Sequence, residues 1–328
     1  MKPGAVLPVS QVPKPFPRDG SRFAPVFVLA TARSYSSVVA TMIGQHPDLA
    51  GLPELKLFCC DTIRELEDSL PRYWLSRGVT HRSPGLVRTV AELEFGGQTL
   101  ESLSAARAWL RDRLDWPGAN VLDVLLERLS PRSAVEKSPD NVQDAGLRRM
   151  EAAYPRARYL HLTRHPLTTQ RSIQEHRNRT VPLHPPDGEP MSGIASWYEI
   201  HRRILHFAAG LPANRYLRVR AEDVLNDSRS QLCAIAAWLG VRTDEDAIEA
   251  MKHPEASPFA RPGPAASGVA GGNDPAFLHD PIPHAVEVPH SLEPPQGWVA
   301  DPCVWKMVAD LATGLGYSDG SLAESPGA

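Results

Sequence analysis

A loop rich in hydroxyl and guanidinium groups follows the first apolar run of the chain. Residues 26–29 are β-branched and apolar, which is typical of a strand buried on both faces, and residues 36–43 have a helical pattern. The loop between them reads Arg33-Ser34-Tyr35-Ser36-Ser37. A loop that leads from a strand into a helix points backbone N–H groups at one place, where the helix dipole also favours an anion. Because arginine and serine side chains add donors, the loop predicts a phosphate-type site.

This loop is not a Walker A motif. That motif needs a glycine, four residues and then Gly-Lys followed by Ser or Thr, whereas no glycine occurs between Pro25 and Gly44. A small-molecule kinase of the P-loop type is therefore the weaker interpretation. An ordinary strand–turn–helix with a serine N-cap is a second alternative when this stretch is taken alone.

Two further cations follow runs that read as strands. Lys137 ends the run that starts at Ser133, and Arg164 follows the run 157–163. Because such strands alternate with helical patterns, we predict an α/β fold with a parallel sheet covered by helices on both faces. Ligands of such sheets bind beyond the carboxyl ends of the strands. Arg33, Lys137 and Arg164 are therefore expected to converge on one crevice.

The remaining segments are expected to form accessory parts around this sheet. Residues 1–22 are rich in proline and predict a flexible arm, whereas residues 23–328 are expected to form one domain. Helical periodicity over about 57–130 predicts an insertion that either caps a site or packs on the sheet. Residues 254–297 are rich in Pro and Gly without a period, which favours a lid or a disordered loop.

Composition excludes several classes of function. The chain has 328 residues, of which 42% are hydrophobic and 22% charged, with a formal net charge of -3, as in an ordinary globular protein. No overall basic field attracts nucleic acid or a membrane, so neither is expected as a partner. The four cysteines lack metal-ligand spacing, and no metal site is expected. Without a membrane-length apolar run or a secretory signal, the chain is expected to be cytoplasmic, with free thiols.

Several motifs together resemble those of sulfotransferases that use 3'-phosphoadenosine-5'-phosphosulfate (PAPS). The loop from Arg33 to Ser37 resembles their 5'-phosphosulfate loop, and Arg164 with Ser172 eight residues later resembles the pair that grips the 3'-phosphate. Three further segments fit the family's order of motifs: His46-Pro-Asp48, Arg218 to Leu225 and Asn273 to Phe277. The resemblance runs from Phe23 to Phe277 and implies the three-layer, P-loop-like sulfotransferase fold.

Within that family, the chain is most similar to bacterial sulfotransferases of polyketide and other natural-product pathways. Residues 53–57, 92–96 and 136–139 resemble runs in those proteins. The likeness implies a hydroxyl of a small natural product as acceptor, either free or held by an acyl carrier protein. It also implies PAPS as the donor and 3'-phosphoadenosine-5'-phosphate (PAP) as the product.

The resemblance implies a role for each site residue. The residues expected to bind the cofactor are Arg33, Ser34, Tyr35, Ser36, Ser37, Arg164 and Ser172. Arg33 and Lys137 are also expected to stabilise charge during transfer. Glu54, twenty-one residues after Arg33, is the expected general base, because the acceptor hydroxyl must lose its proton. His165 and His176 are the rival bases.

Two positions depart from the family pattern. Tyr35 stands where the loop usually has glycine, which would permit a positive φ and a close approach of the phosphate. Tyr35 is therefore expected to shift the loop or to line the acceptor pocket. Ala221 stands where an aromatic residue is common, so no adenine contact is expected from it. A non-catalytic nucleotide-binding module is the alternative that Tyr35 leaves open.

Overall fold

The structure, a computed structural model, describes residues 24–71, 80–180, 193–294 and 302–317, and for 177–180 it describes the backbone alone. The predicted arm over 1–22 and the last residues of the predicted lid segment, 295–297, lie outside the described residues.

A parallel sheet of five strands organises the described chain, in the spatial order β2-β3-β1-β4-β5. The strands are β1 (Val26–Leu29), β2 (Leu49–Gly51), β3 (Ser133–Glu136), β4 (Arg158–Thr163) and β5 (Tyr216–Arg220). Strand β1 is central, since Phe27 pairs with Glu136 on one side and with Tyr159 on the other. The predicted α/β fold with a parallel sheet is confirmed.

Helices connect the strands and cover both faces of the sheet. They are α1 (Ser36–Gly44), α2 (Ile63–Asp68), α3 (Pro84–Phe95), α4 (Leu100–Arg111), α5 (Gly118–Leu129), α6 (Asp144–Ala153), α7 (Pro166–Thr180), α8 (Gly193–Ala208), α9 (Ala221–Asn226), α10 (Ser228–Leu239), α11 (Glu245–Met251), α12 (Pro275–His279) and α13 (Pro302–Gly314). None of these described helices is long and apolar enough to pass through a bilayer.

Alternation along β1 divides the core into two apolar clusters. Phe27 and Leu29 belong to one cluster, while Val26 and Val28 belong to the other. Successive side chains of a strand point to opposite faces, so a strand that is apolar at every position is covered twice. The result is the predicted three-layer arrangement, with the carboxyl ends of the strands left open to loops.

Strand β2 was not predicted. It has three residues, Leu49–Gly51, and its alanine and glycine have little β-propensity. Tertiary packing stabilises it, because a Cβ at Gly44 would lie 2.2 Å from the Cα of Gly51. The end of α1 therefore contacts the backbone of β2 directly, and the edge strand leads into the segment that carries Glu54.

Four described helices, α2 to α5, form the predicted insertion between β2 and β3. Their apolar side chains, including Leu86 and Leu122, belong to the same cluster as Phe27, so the insertion packs on one face of the sheet. The start of α3 also contacts the segment after β2, since a Cβ at Gly85 would lie 2.4 Å from the carbonyl oxygen of Glu54. The helical insertion is confirmed, while its role as a cap stays a prediction.

A buried arginine attaches the predicted lid segment to the insertion. Arg88 of α3 is 1% exposed, and its guanidinium donates to the carbonyl oxygens of Gly271 at 2.9 Å and Ala270 at 3.4 Å. Burial, only partly opposed by Glu92, lowers the pKa of Arg88 to about 10. The described part of this segment therefore has a fixed path that delivers residues 272–274 to the sheet edge.

Candidate active site

Loops at the carboxyl ends of β1, β3 and β4 bring the predicted cations together. Nη1 of Arg164 donates to the carbonyl oxygen of Arg33 at 2.7 Å. Nζ of Lys137 donates to Oγ of Ser37 at 2.8 Å and to Oε1 of Glu54 at 2.7 Å. The three cations therefore lie at one edge of the sheet, although Arg33 is more than a hundred positions from both Lys137 and Arg164 in the chain.

The loop after β1 has an unusual backbone. Arg33 and Tyr35 adopt φ values of 65° and 57°, in the left-handed region that residues other than glycine seldom occupy. Helix α1 starts with Tyr35 at its N-cap position, and no side chain caps it. The alternative of a serine N-cap is thus wrong, and the first N–H groups of α1 stay available to another acceptor.

The serines of this loop divide into two environments. Ser34 is fully buried, and its hydroxyl lies 2.5 Å from that of Thr31, so it stabilises the turn from within. Ser36 is also buried, at the first position of α1. Ser37 lines a cavity and contacts Lys137. Ser37 is therefore the loop serine with the clearest access to a ligand.

Arg33, Arg164 and Ser172 lie around the same cavity, whose volume is about 310 Å³. Nε of Arg33 donates to Oγ of Ser172 at 3.1 Å, and Nε of Arg164 donates to Oγ1 of Thr168 at 3.0 Å. Arg164 is 9% exposed, and burial lowers its pKa. Within the described residues, no carboxylate forms a close ion pair with Arg164, although Glu222 and Asp274 act on its charge from a distance.

One acidic side chain already contacts this cationic group. The carboxylate of Asp274 pairs with the guanidinium of Arg33, and its backbone N–H donates to Oγ of Ser37 at 3.0 Å. Asp274 also accepts from the N–H of Ala276 at 2.9 Å and so caps α12. Asp274 was missing from the predicted site residues, because its contact with Arg33 spans more than two hundred positions. Its place in the motif from Asn273 to Phe277 was the available signal.

Glu54 lies between two ammonium groups. Lys137 is 1% exposed and contacts Oε1 of Glu54, while Nζ of Lys56 lies 3.7 Å from Oε2. Lys56 also pairs with Asp140 at 2.8 Å, and Arg82 donates to the same carboxylate. Burial alone would raise the pKa of Asp140, but these two cations outweigh it and hold the pKa below its usual value.

Buried polar groups fix the backbone that carries Glu54. Oε1 of Glu136 accepts from the N–H of Leu55 at 3.3 Å, and Oγ of Ser138 accepts from the N–H of Lys56 at 2.9 Å. Burial raises the pKa of Glu136 to about 7. Sequence reasoning had no role for Glu136 or Ser138, although both flank Lys137 at the end of β3.

The rival base His165 lies in a different environment. It is 1% exposed, its Nδ1 accepts from the N–H of Leu167 at 3.3 Å, and its own N–H donates to Glu222 at 2.7 Å. Burial, together with nearby Arg220 and Arg164, lowers the pKa of His165 to about 4. These contacts hold the residue in place, while its Nε2 is buried without a hydrogen-bond partner among the described residues. His176 lies further along α7.

Two more expectations concern Ala221 and metals. Ala221 is fully buried in one of the two apolar clusters of the core, and its relation to an adenine ring stays a prediction. In the ranges that the structure describes, no group of three or more His, Cys, Asp or Glu side chains could hold a metal ion.

The fold and the cation-lined crevice place the chain among α/β proteins of the P-loop-like class. A sequence model described as the sulfotransferase family matches residues 25–245, which is more than half of the chain. The chain belongs to the sulfotransferase family. No curated protein sequence matches it significantly.

Solved structures with the same fold include two sulfotransferase domains. The sulfotransferase domain from the curacin biosynthetic pathway is 22% identical, with a TM-score of 0.69, covering 90% of this chain and 98% of that chain. The sulfotransferase domain from the Synechococcus PCC 7002 olefin synthase is 24% identical, with a TM-score of 0.63, covering 91% of this chain and 97% of that chain.

Proposed function

We propose that the chain transfers the sulfuryl group of PAPS to a hydroxyl of a small natural-product acceptor. One arrangement carries this proposal: Arg33 and Arg164 flank a single cavity, and Ser37 links that cavity to the Glu54–Lys137 pair. Cations for a doubly phosphorylated donor thus lie beside an acid–base pair for the acceptor. The family membership agrees with this chemistry.

The cavity fits a nucleotide with phosphates at one end. Its lining includes Arg33, Arg164, Ser37 and Ser172, the residues predicted for the cofactor's phosphates. The lining also includes the apolar residues Leu225, Phe277, Ile282 and Val286, which suit a base. The pairing of Arg33 with the Asp274 carboxylate supports the fit, because an anion already occupies the guanidinium fork.

In this proposal, each catalytic side chain acts on charge or on a proton. PAPS, when bound, supplies the sulfuryl group and leaves as PAP. Arg33 and Lys137 stabilise the negative charge that develops during transfer, and Ser37 donates a further hydrogen bond. Oε2 of Glu54 takes the proton of the acceptor hydroxyl as the new S–O bond forms. Within the described residues, Oε2 accepts no hydrogen bond, whereas Oε1 is held by Lys137.

Accessory segments would border the site. Residues of the described segment 254–294 line the cavity, in support of a lid, and α3 of the insertion contacts the backbone of Glu54 on the acceptor side, in support of a cap. The acceptor class rests on the motifs shared with natural-product sulfotransferases, and two structures of this fold come from biosynthetic pathways. An acyl carrier protein is proposed as one form in which the acceptor arrives.

The proposed compartment is the cytoplasm. None of the four cysteines forms a disulfide in the structure, and the Sγ atoms of the adjacent Cys59 and Cys60 lie 3.8 Å apart. Cysteines without disulfides are typical of a reducing compartment such as the cytoplasm.

Two substitutions test the proposal through different readouts. Arg164→Ala removes a buried cation that faces the phosphates, so the affinity for PAP in calorimetry is expected to fall about 100-fold. Glu54→Gln removes the base and keeps the shape, so transfer from PAPS is expected to fall about 10²–10⁴-fold while PAP binding is retained. The acceptor panel should include free hydroxyl compounds and hydroxyacyl groups loaded on a carrier protein.

Each negative result has a definite meaning. Full transfer activity in Glu54→Gln would remove the base assignment, and unchanged PAP binding in Arg164→Ala would remove the 3'-phosphate assignment. Turnover with ATP and magnesium in place of PAPS would favour the kinase. Tight PAP binding without transfer to any acceptor would favour a non-catalytic module.

A further inference from the structure

The aromatic residue of the anion loop is held in a strained conformation. Tyr35 has φ 57° and ψ 15°, a left-handed conformation that is uncommon for a bulky residue. Glycine would adopt the same conformation without steric cost. A bulky residue retained under strain at the edge of a site indicates that its side chain has a function there.

The ring of Tyr35 is stacked against the cation that the proposed function assigns to the 3'-phosphate. Cζ of Arg164 lies 3.9 Å from the centroid of the ring. A guanidinium at this distance over the ring is attracted by the negative ring face. Tyr35 itself is half-buried and lines the same cavity as Arg164.

The guanidinium of Arg164 is restrained on three sides. The Tyr35 ring covers one face, Nη1 donates to the carbonyl of Arg33 at 2.7 Å, and Nε donates to Thr168 at 3.0 Å. Within the described residues, Nη2 donates no hydrogen bond, and Arg164 and Ser172 line the cavity together. The remaining donor is therefore presented to the ligand in one fixed orientation.

We propose that Tyr35 is a positioning residue that makes the site selective for nucleotides with a 3'-phosphate, by orienting Arg164. This inference rests on the proposed function, because it names what Arg164 selects. It replaces the expectation that Tyr35 lines the acceptor pocket. In this proposal the aromatic ring of Tyr35 orients Arg164 and the hydroxyl does not, because the hydroxyl forms no hydrogen bond with any described residue.

The expected size follows from the contact. Cation–π pairs at partly desolvated sites correspond to about fivefold to thirtyfold in an equilibrium constant. The loss should appear only for ligands that engage Arg164. PAP has a 3'-phosphate and AMP does not, so the ratio of their dissociation constants isolates this effect from general damage to the loop.

The experiment compares Tyr35→Phe, Tyr35→Gly and Tyr35→Leu with the wild type, using calorimetric titrations with PAP and with AMP. Tyr35→Phe keeps the ring and should keep the wild-type preference for PAP. Tyr35→Gly removes the ring and relaxes the backbone, so it should fold and lose about fivefold to thirtyfold of that preference. Tyr35→Leu retains the strained backbone and some bulk, and it should lose the preference equally.

A coupling measurement distinguishes positioning from a structural role. In an Arg164→Lys background, Tyr35→Gly should change PAP affinity much less than in the wild type, because a lysine cannot stack in the same way. An unchanged PAP preference in Tyr35→Gly and Tyr35→Leu would overturn the inference alone. Equal losses for PAP and AMP would also overturn it, in favour of loop collapse. A wild-type chain without preference for PAP would overturn the proposed function, and the inference with it.

Discussion

Strand β4 contributes to two polar regions with opposite properties. Arg164, just beyond its end, faces a cavity with a donor to spare. His161, inside the strand, is fully buried, with Nδ1 2.7 Å from the hydroxyl of Tyr216 and Nε2 2.7 Å from Nδ1 of His201. Burial, with a contribution from His201, lowers the pKa of His161 well below its usual value. Burial likewise lowers the pKa of His201 to about 3.

The two regions differ in how many of their hydrogen-bonding atoms find partners within the protein. Both ring nitrogens of His161 have hydrogen-bond partners inside the protein, although Nε2 of His201 has none among the described residues. At the strand end, the guanidinium groups keep their charge and have donors that face a cavity. A buried polar residue is therefore a sign of function only when its remaining donors are directed at accessible space.

Among the tests of this comparison, the largest effect is expected at Lys137, which lies at the same edge of the sheet as Arg164. Lys137→Met removes the ammonium that contacts Ser37 and Glu54, so transfer from PAPS should fall about 10²–10³-fold, because charge in the transition state loses a donor. Initial rates measure the loss, and calorimetry with PAP should show a much smaller change. Lys56→Met is the matched control, since Lys56 is 3.7 Å from Glu54 and pairs with Asp140. Equal losses in both variants would contradict a specific role for Lys137.

The histidine network should affect stability rather than transfer. The pKa of His201 is lowered from 6.5 to about 3, so between these values the unfolded state binds more protons than the native state. The free energy of unfolding should therefore decrease as pH falls through 6.5, and His201 alone should account for about 2 kcal/mol between pH 7 and pH 5. Denaturant unfolding at the two pH values measures this loss.

His201→Asn sharpens that measurement. Asparagine can still form a hydrogen bond with His161 but does not titrate. The decrease in unfolding free energy between pH 7 and pH 5 should therefore be smaller in the variant by about 2 kcal/mol. Affinity for PAP at pH 7 should stay unchanged. An identical pH dependence in the variant and the wild type would show that the buried network is not what acid destabilises.

The smallest expected effect concerns the acid inside the cationic region. Asp274→Asn removes the charge that pairs with Arg33 and still caps α12, so PAP affinity should rise a few-fold, about 1 kcal/mol. Asp280→Asn is the matched control, because Asp280 lines the same cavity but pairs with His284. Reduced PAP affinity in Asp274→Asn would mean that the carboxylate assists binding instead of competing.

Much of the fold could be predicted because its signals are local. Helix α1 (Ser36–Gly44) agrees with the helical pattern over 36–43, and strands β1 and β4 agree with the predicted strands over 26–29 and 157–163. Helix α3 was not singled out, although Ser83 followed by Pro84 is a helix-start signal, and Ser83 does cap it. Strand β2 was missed because its pairing with β3 and its contact with α1, not its composition, make it a strand.

The position of the candidate site could also be predicted from the sequence, but the contacts within it could not. Arg33, Lys137 and Arg164 could be placed at one edge because parallel strands end on the same side of a sheet. The partners of these cations could not be inferred, since Asp274 and the ring of Tyr35 reach them by contacts that no local pattern encodes. Tyr35 was identified as a departure, but its consequence depends on where the Arg164 side chain lies.

Local residue patterns were enough to predict alternating strands and helices, a loop of hydrogen-bond donors from Arg33 to Ser37, and the order of the family motifs. Which donors remain unsatisfied was decided only when β1, β3 and β4 were placed side by side. The physical reason is that hydrogen bonding and burial depend on neighbours distant in sequence, so the same arginine or histidine becomes ligand-facing or structural only in the folded molecule.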